Sequence, residues 1–233
     1  MVPSNALQRT FRIKYGNNAG TCFTIDWQGK QYIVTARHIV EGIPKSSTVS
    51  IFHDNEWKNL KVTLVGVGDT GFDIAVLAPP MQISPTHPLT PTANSLFLGQ
   101  DVYFLGFPYD LHIEVGPDLN RSFPMPLVKK AIVSAFDFSS GKPGLLLLDG
   151  HNNPGFSGGP VIFTEAGTTN FNVAAVISGY RYEWEPVFDQ RTETPLEYKY
   201  NTGIIVACRT EHAVGLIAAN PIGFPLPTDA LRN

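Results

Sequence analysis

Three short segments of this chain carry residues whose types fit nucleophilic attack on an acyl carbon. Ser157 lies in Gly155-Phe156-Ser157-Gly158-Gly159-Pro160, His38 closes Thr35-Ala36-Arg37-His38, and Asp73 sits in Phe72-Asp73-Ile74-Ala75-Val76-Leu77. A serine hydroxyl is a weak nucleophile at neutral pH, so a reactive one needs an imidazole to take its proton and a carboxylate to fix the ring tautomer. Singly, each residue has an ordinary reading: a surface or core histidine, a strand-end aspartate, a glycine-rich turn. Together they supply a nucleophile, a base and an orienter, with 35 residues from His38 to Asp73 and 84 from Asp73 to Ser157.

The order His, Asp, Ser carries information, because the same three groups occur on unrelated folds in different chain orders. Gly155-Phe156-Ser157-Gly158-Gly159 also fits the Gly-x-Ser-x-Gly elbow of α/β-hydrolases. That elbow demands a helix after the serine and Asp and His downstream of it. Here Pro160 and the strand-like Val161-Ile162-Phe163 follow, and both partners lie upstream.

The chain resembles the trypsin-like serine peptidases. The resemblance rests on Gly20-Thr21-Cys22-Phe23 ahead of the Thr-Ala-x-His segment, on Asp-Ile-Ala-Val-Leu, and on Gly-x-Ser-Gly-Gly-Pro. Within that superfamily Asn153-Pro154-Gly155-Phe156-Ser157-Gly158-Gly159-Pro160 is similar to the Asn-Pro-Gly-Asn-Ser-Gly-Gly-Pro of the compact bacterial HtrA branch, and Leu105-Gly106-Phe107-Pro108 and Ala131-Ile132-Val133-Ser134-Ala135 look familial too. The similarity runs from Gly20 to the C-terminal helix.

The resemblance implies an all-β fold of two six-stranded antiparallel barrels of the chymotrypsin type with a short C-terminal helix. It implies a serine endopeptidase acting through an acyl-enzyme: Ser157 attacks, His38 carries the proton, Asp73 holds the ring, and the N–H groups of Gly155 and Ser157 form the oxyanion hole. By family position the specificity pocket would be walled by His151, Asn152, Ser178, Gly179, Tyr180 and Gly203, with Ser178 also hydrogen-bonding Asp73. His151 stands where trypsin carries its selecting carboxylate; protonated it could accept an acidic side chain, but glutamate-specific relatives place their histidine where this chain has Ile177, so the resemblance favours small or medium apolar residues at the cleaved bond. Phe156 stands where extracellular relatives carry the aspartate that captures a freed N-terminus, so that activation route is closed. Arg37 replaces a small or amide residue and is expected to be solvated.

Two other functions fit the same residues: a latent peptide-binding or scaffolding module on a protease fold, and an esterase or self-processing protease. No cofactor or metal is expected, since the six histidines show no metal-ligand spacing with acids or the two cysteines. The expected partner is a protein or peptide substrate; oligomeric state is open.

Composition bounds the elements that must position these groups. With 43% hydrophobic and 16% charged residues over 233, a sizeable core is available and disorder is not expected. Lys plus Arg total 17 against 20 acids, so no bulk attraction to nucleic acid or anionic membrane is expected. The first ten residues lack the apolar core of a signal peptide, which reads as cytoplasmic, although a secreted form trimmed of its leader would look the same. Cys22 and Cys208 are expected as free thiols; Ile39 occupies the position that pairs with Cys22 in secreted relatives.

Period-two alternation and turn signals predict strands over 10–15, 20–27, 30–36, 47–53, 60–67 and 73–78, then 101–106, 128–136, 144–149, 159–164, 171–180 and 202–208. Trp27-Gln28-Gly29-Lys30 reads as a hairpin turn. The Pro-rich run from Pro79 to Pro91 can be neither strand nor helix. The expected organisation is a barrel over 1–78 carrying His38 and Asp73, a linker over 79–94, a second barrel over 95–209 carrying Ser157, and a helix and tail over 210–233, with Thr210 as the N-cap. Tyr109 to Pro126 and the acidic Arg181 to Tyr200 are expected to be exposed loops beside the cleft.

Overall fold

Strand pairing closes the first six strands on themselves. In the computed structural model, which describes residues 2–111, 113, 120–138 and 144–227, a short helix α1 (Ser4–Leu7) leads into β1 (Thr10–Tyr15), β2 (Asn18–Trp27) and β3 (Lys30–Thr35), then β4 (Ser46–His53), β5 (Glu56–Val67) and β6 (Ala75–Ala78). The antiparallel order is β3-β2-β1-β4-β5-β6, and Ile33↔Leu77, Val34↔Val76 and Thr35↔Ala75 join the ends into a ring. The β2–β3 turn places both Gln28 (φ 49°) and Gly29 (φ 74°) in the left-handed region, matching the right-handed twist of its strands as expected.

A second ring follows. It is built from β8 (Asp101–Gly106), β9 (Leu127–Asp137), β10 (Leu145–Asp149), β11 (Pro160–Thr164), β12 (Phe171–Asp189) and β13 (Thr192–Arg209), after a two-residue strand β7 (Thr90–Pro91). The order is β11-β8-β9-β10-β13-β12, with β11–β12 pairing closing it. Helix α2 (Thr210–Ala219) and a two-residue strand β14 (Phe224–Pro225) complete the chain. The all-β fold of two six-stranded antiparallel barrels with one short C-terminal helix is therefore observed.

Alternation explains where the two barrels meet. Cys22, Ile33, Ala75 and Leu77 point into the first barrel with Phe11, Ile13 and Ile51. Their neighbours Phe23, Val34, Val76 and Ala78 face the other way and pack with Leu105, Ile162, Val173, Val176 and Cys208 of the second barrel and with Ala213 and Ile217 of α2. Strands β3 and β6 are thus buried on both faces, which is why they read as apolar runs rather than as alternating ones. Val102, Phe104, Val133, Leu146, Leu148, Phe156 and Phe163 fill the second barrel.

Four expectations change. Arg181 to Tyr200 is not a loop: β12 and β13 run on past the barrel as a two-stranded arm turning at Gln190 and Arg191. The Pro-rich run does enter the sheet at one place, where Thr90 and Pro91 pair in parallel with Asn172 and Val173 at an edge that tolerates a missing donor. Thr210 does not cap α2; its hydroxyl donates to the Val173 carbonyl at 2.7 Å, and Arg209 occupies the cap position. Beyond the helix, β14 returns to the first barrel against Gln31 and Lys30 of β3. Within the Tyr109–Pro126 segment, residue 112 and residues 114–119 lie outside the described residues, as do residues 228–233 of the tail.

One buried ion pair fastens the linker to the first barrel. Arg9, 1% exposed, donates to Asp26 Oδ2 at 2.5 Å and to the His87 carbonyl at 2.6 Å. Asp26 Oδ1 also accepts from Gln31 Nε2 at 3.0 Å. Because a buried guanidinium without its carboxylate keeps its desolvation penalty, Asp26→Ala is expected to cost about 3 kcal/mol. Urea unfolding of the two proteins side by side measures it, and an unchanged midpoint would remove the pair from the account.

Candidate active site

Two strand ends at the seam deliver His38 and Asp73. After β3 the chain enters a single 3-10 turn, Arg37–Val40, anchored by Ile39 and Val40 in the first barrel's core, which leaves His38 half in solvent. Asp73 precedes β6, where the Ile74 carbonyl accepts from the Gly68 N–H at 2.8 Å. Arg37, exposed as expected, adds to this clamp by donating to the Gly68 carbonyl at 3.1 Å.

Asp73 is where the site converges. Its Oδ2 accepts from His38 Nδ1 at 2.7 Å and from the Ser178 hydroxyl at 2.8 Å, and its Oδ1 accepts from the His38 backbone N–H at 2.9 Å. With Nδ1–H given to the carboxylate, the ring presents the Nε2 lone pair outward, the form a general base needs. Burial alone would raise the Asp73 pKa. The ring hydrogen bond, the His38 charge, the His38 backbone N–H and the Ser178 hydroxyl together outweigh it, and the carboxyl sits below its ordinary value.

Ser157, half-buried, enters from the loop ahead of β11. Its hydroxyl donates to the Ser178 carbonyl at 3.2 Å. Among the described residues no hydrogen bond joins it to His38. Ser178 therefore touches both ends of the trio, its hydroxyl on the Asp73 carboxylate and its carbonyl on the Ser157 hydroxyl.

The loop from Pro154 to Gly159 is held by its carbonyls. Pro154 O accepts from the Tyr109 N–H at 3.1 Å, Gly155 O from the Thr21 hydroxyl at 2.7 Å, and Phe156 O from the Gly159 N–H at 2.8 Å. In a planar trans peptide the N–H points opposite the C=O, so these bonds turn the Gly155 and Ser157 N–H groups away from the carbonyls' partners. Neither has an acceptor among the described residues. Gly155 is at φ +104°, and a Cβ there would lie 2.4 Å from the Phe107 carbonyl oxygen. Gly158, at φ +84°, would place one 2.0 Å from the Thr21 carbonyl oxygen. Both positions require glycine.

The other sequence-derived positions divide. Ser178, Gly179 and Tyr180 follow one another along β12, all half-buried and leading away from Ser157. Asn152 is 1% exposed, and its carbonyl accepts from Asn201 Nδ2 at 2.6 Å while Asn201 Oδ1 accepts from the Gly203 N–H at 2.9 Å. Asn201 thus staples the 152 segment to Gly203, a role that nothing in the sequence marks. His151 is exposed, and its carbonyl accepts from Lys129 Nζ at 2.6 Å. Lys129 also donates to Asn153 Oδ1 at 2.7 Å, and burial lowers its pKa. Cys22 and Cys208 are both free and buried, and burial pushes the Cys208 thiol up to about 12, so neither is a reactive thiolate. Among the described residues no cluster of three His, Cys, Asp or Glu is placed to hold a metal ion.

Thr21 was legible only as part of a motif, yet it binds the two barrels at this site. Fully buried, it donates its N–H to the Ser157 carbonyl at 2.8 Å, and its hydroxyl accepts from the Phe107 N–H at 3.1 Å while donating to Gly155 O. Thr21→Val keeps the shape and strands the buried Phe107 N–H and the half-buried Gly155 carbonyl. Chemical denaturation is expected to show a loss of about 2 kcal/mol or more, largely restored by Thr21→Ser. Equal stability of the valine variant would contradict the clamp.

Comparison with known proteins places this geometry in a family. The family model described as a trypsin-like peptidase domain matches residues 20–168. The chain is 34% identical over 170 residues to the serine protease Do-like HtrA of Bacillus subtilis (strain 168), which covers 67% of this chain and 33% of that protein. It therefore spans about a third of the length of that curated relative. Among solved structures it is similar to the HtrA-type protease AlgW with tripeptide, at TM-score 0.57 and 20% identity over 93% of this chain and 61% of that one. It is also similar to the serine endoprotease from Yersinia pestis, at TM-score 0.57 and 20% identity over 94% and 67%. At that identity the two structures speak for the fold alone, and with the family match they agree: the chain belongs to the trypsin-like peptidase domain family.

Proposed function

We propose that this chain is a serine endopeptidase that hydrolyses peptide bonds through an acyl-enzyme, with Ser157 as nucleophile, His38 as base and Asp73 as orienter. The observation that carries the reading is the His38–Asp73 couple, held by a second bond from the His38 backbone, beside a serine tied to the same Ser178. Rotation about the Ser157 Cα–Cβ bond takes its hydroxyl from the Ser178 carbonyl toward His38 Nε2. Nε2 takes the proton as Oγ bonds to the scissile carbonyl carbon, and Asp73 stabilises the imidazolium. The new oxyanion is received by the Gly155 and Ser157 N–H groups, which have no other acceptor among the described residues. Collapse expels the amine, which takes the proton from Nε2; water, activated by the same imidazole, then releases the acid.

Substrate class follows from the same positions. Asn152, Ser178, Gly179, Tyr180 and Gly203 are proposed to receive the residue at the cleaved bond and its neighbours. His151 is exposed, and with no carboxylate among these residues the favoured side chain is small or medium apolar.

A fluorophosphonate probe is expected to label the wild type at Ser157 and to fail on Ser157→Ala. A wild type that never labels would overturn the peptidase in favour of a binding module. Asp73→Asn, which disturbs the tautomer, is expected to lower kcat on a peptide substrate about 10⁴-fold.

Asp73 also makes stability pH-dependent. Because folding lowers its pKa, its contribution is present above the ordinary carboxylate value, about 4, and is lost as pH falls through the lower folded value. The difference in urea midpoint between wild type and Asp73→Asn is therefore expected to shrink on acidification from pH 6 to pH 3. A difference that stays constant would argue that Asp73 gains nothing by ionising in the fold.

A further inference from the structure

We propose that Lys129 is a positioning residue for the hydrolysis: its ammonium, bonded at once to the His151 carbonyl and to the Asn153 side chain, sets the turn from which the Gly155 N–H meets the oxyanion. The proposal deepens the peptidase reading and rests on it for what that N–H does.

Nothing in the strand pattern calls for a cation at this place. On β9, Lys129 alternates in step with Ala131 and Val133, which help fill the second barrel, while Val128, Lys130 and Ile132 are exposed. Its cross-strand partner on β8 is Phe104, whose ring meets that of Phe156 edge-on with centroids 4.9 Å apart. Lys129 Nζ lies 5.6 Å from the centre of the Phe156 ring, so the lysine caps an aromatic pair of the barrel's core. Burial there works against the charge and lowers the lysine pKa, with no carboxylate acting to raise it. A charge held against desolvation needs fixed oxygen acceptors, and the loop supplies two.

These acceptors belong to residues 151 and 153. Nζ donates to the His151 carbonyl at 2.6 Å and to Asn153 Oδ1 at 2.7 Å. An ammonium only donates, so its contact decides which way round the Asn153 amide lies. Asn153 Nδ2 then faces Tyr109 and donates to the phenol oxygen at 3.3 Å. Tyr109 is also the residue whose N–H holds the Pro154 carbonyl at 3.1 Å. One tyrosine thus grips the Asn153-Pro154 pair at a side chain and at a carbonyl, and Lys129 orients the side-chain half of that grip.

The Gly155 N–H points opposite to the Pro154 carbonyl, so its aim follows from the same ring of contacts. The Asn153 carbonyl accepts from the Phe156 N–H at 3.3 Å, which carries the constraint past Gly155 toward Ser157. Lys129 bonds none of Ser157, His38 and Asp73, so its effect reaches the reaction through the loop alone. A neutral side chain of similar length would keep the packing on Phe156 and lose both bonds, leaving the Asn153 amide without the contact that sets its orientation.

The test compares Lys129→Met, Lys129→Cys and a charge control on the same strand, Lys130→Met, which loses an exposed pair to Asp101. On a peptide substrate kcat is expected to fall about 10²-fold in both Lys129 variants, the lower end of what losing one oxyanion donor costs. KM is expected to move far less, and Lys130→Met to match the wild type. Fluorophosphonate labelling of Ser157 is expected to slow in parallel. Treating Lys129→Cys with 2-bromoethylamine joins Sγ to an aminoethyl group as bromide leaves, which rebuilds a side chain of lysine's length with its ammonium. Cys22 and Cys208 are buried, and treated wild type controls for them. Most of kcat is expected to return once mass spectrometry shows the modification complete. An unchanged kcat, a loss confined to KM, or a loss that the aminoethyl group does not reverse overturns the assignment.

Hydrogen exchange read by mass spectrometry needs no turnover. The peptide over 151–159 is expected to exchange about tenfold faster in Lys129→Met than in the wild type, with the rest of the chain unchanged. Acceleration spread over the whole chain would make Lys129 an ordinary stabilising residue and overturn the positioning role. A wild type that never labels removes the peptidase, and the exchange pattern then decides by itself whether Lys129 holds the loop.

Discussion

A buried threonine ties the two halves of the site together. His38 and Asp73 belong to the first barrel and Ser157 to the second, so their geometry is no better than the fit between barrels. Apolar packing of Val34 and Val76 against Leu105 and Val176 supplies the attraction, but apolar contact is non-directional and does not choose a register. Direction comes from Thr21. Its N–H, its hydroxyl and its carbonyl, the last accepting from Thr35 Oγ1 at 2.8 Å, are all committed, and three of its partners lie in the second barrel. Since a buried backbone group left unpaired costs 1–3 kcal/mol by general estimate, roughly one register satisfies all of them.

The loop around Ser157 is held from both barrels. Thr21 takes the carbonyls of Gly155 and Ser157, while Tyr109 holds that of Pro154 and Gly159 that of Phe156. Peptide planarity makes the last two bonds the ones that decide where the Gly155 and Ser157 N–H groups point. Tyr109 adopts φ 52°, a conformation uncommon for a side chain of its size. Next to it, Asp110 takes a 2.6 Å bond from Arg12, whose guanidinium lies 4.9 Å from the ring centres of Phe52 and Trp57. The first barrel thus reaches the oxyanion loop by two routes, Thr21 directly and Arg12 through Asp110 and Tyr109.

How much of this was legible follows from what each feature depends on. The three chemistry-bearing segments and the twelve barrel strands were readable because local patterns specify them: alternation, the Gln28-Gly29 turn, a glycine-rich loop before a strand. The arm over Arg181–Tyr200 was not, because its charged, aromatic and proline residues face water on both sides and lack the half-buried alternation that marks a strand. Thr210 looked like a helix cap because cap propensity is a local rule. A buried hydroxyl within reach of two strand carbonyls obeys the stronger tertiary demand. Asn201 and Thr21 act through partners 49 to 136 positions away, a relation that single-residue types cannot announce.

Ser178 shows why a site of this kind is economical in residues. As a strand residue it must offer its carbonyl to one side and its side chain to another, and here the two directions meet different members of the trio: the hydroxyl steadies Asp73 and the carbonyl parks Ser157. The positions of Ser157 and Asp73, and through Asp73 that of His38, are thereby referred to one strand residue, so a shift of Ser178 would disturb both barrels' contributions together.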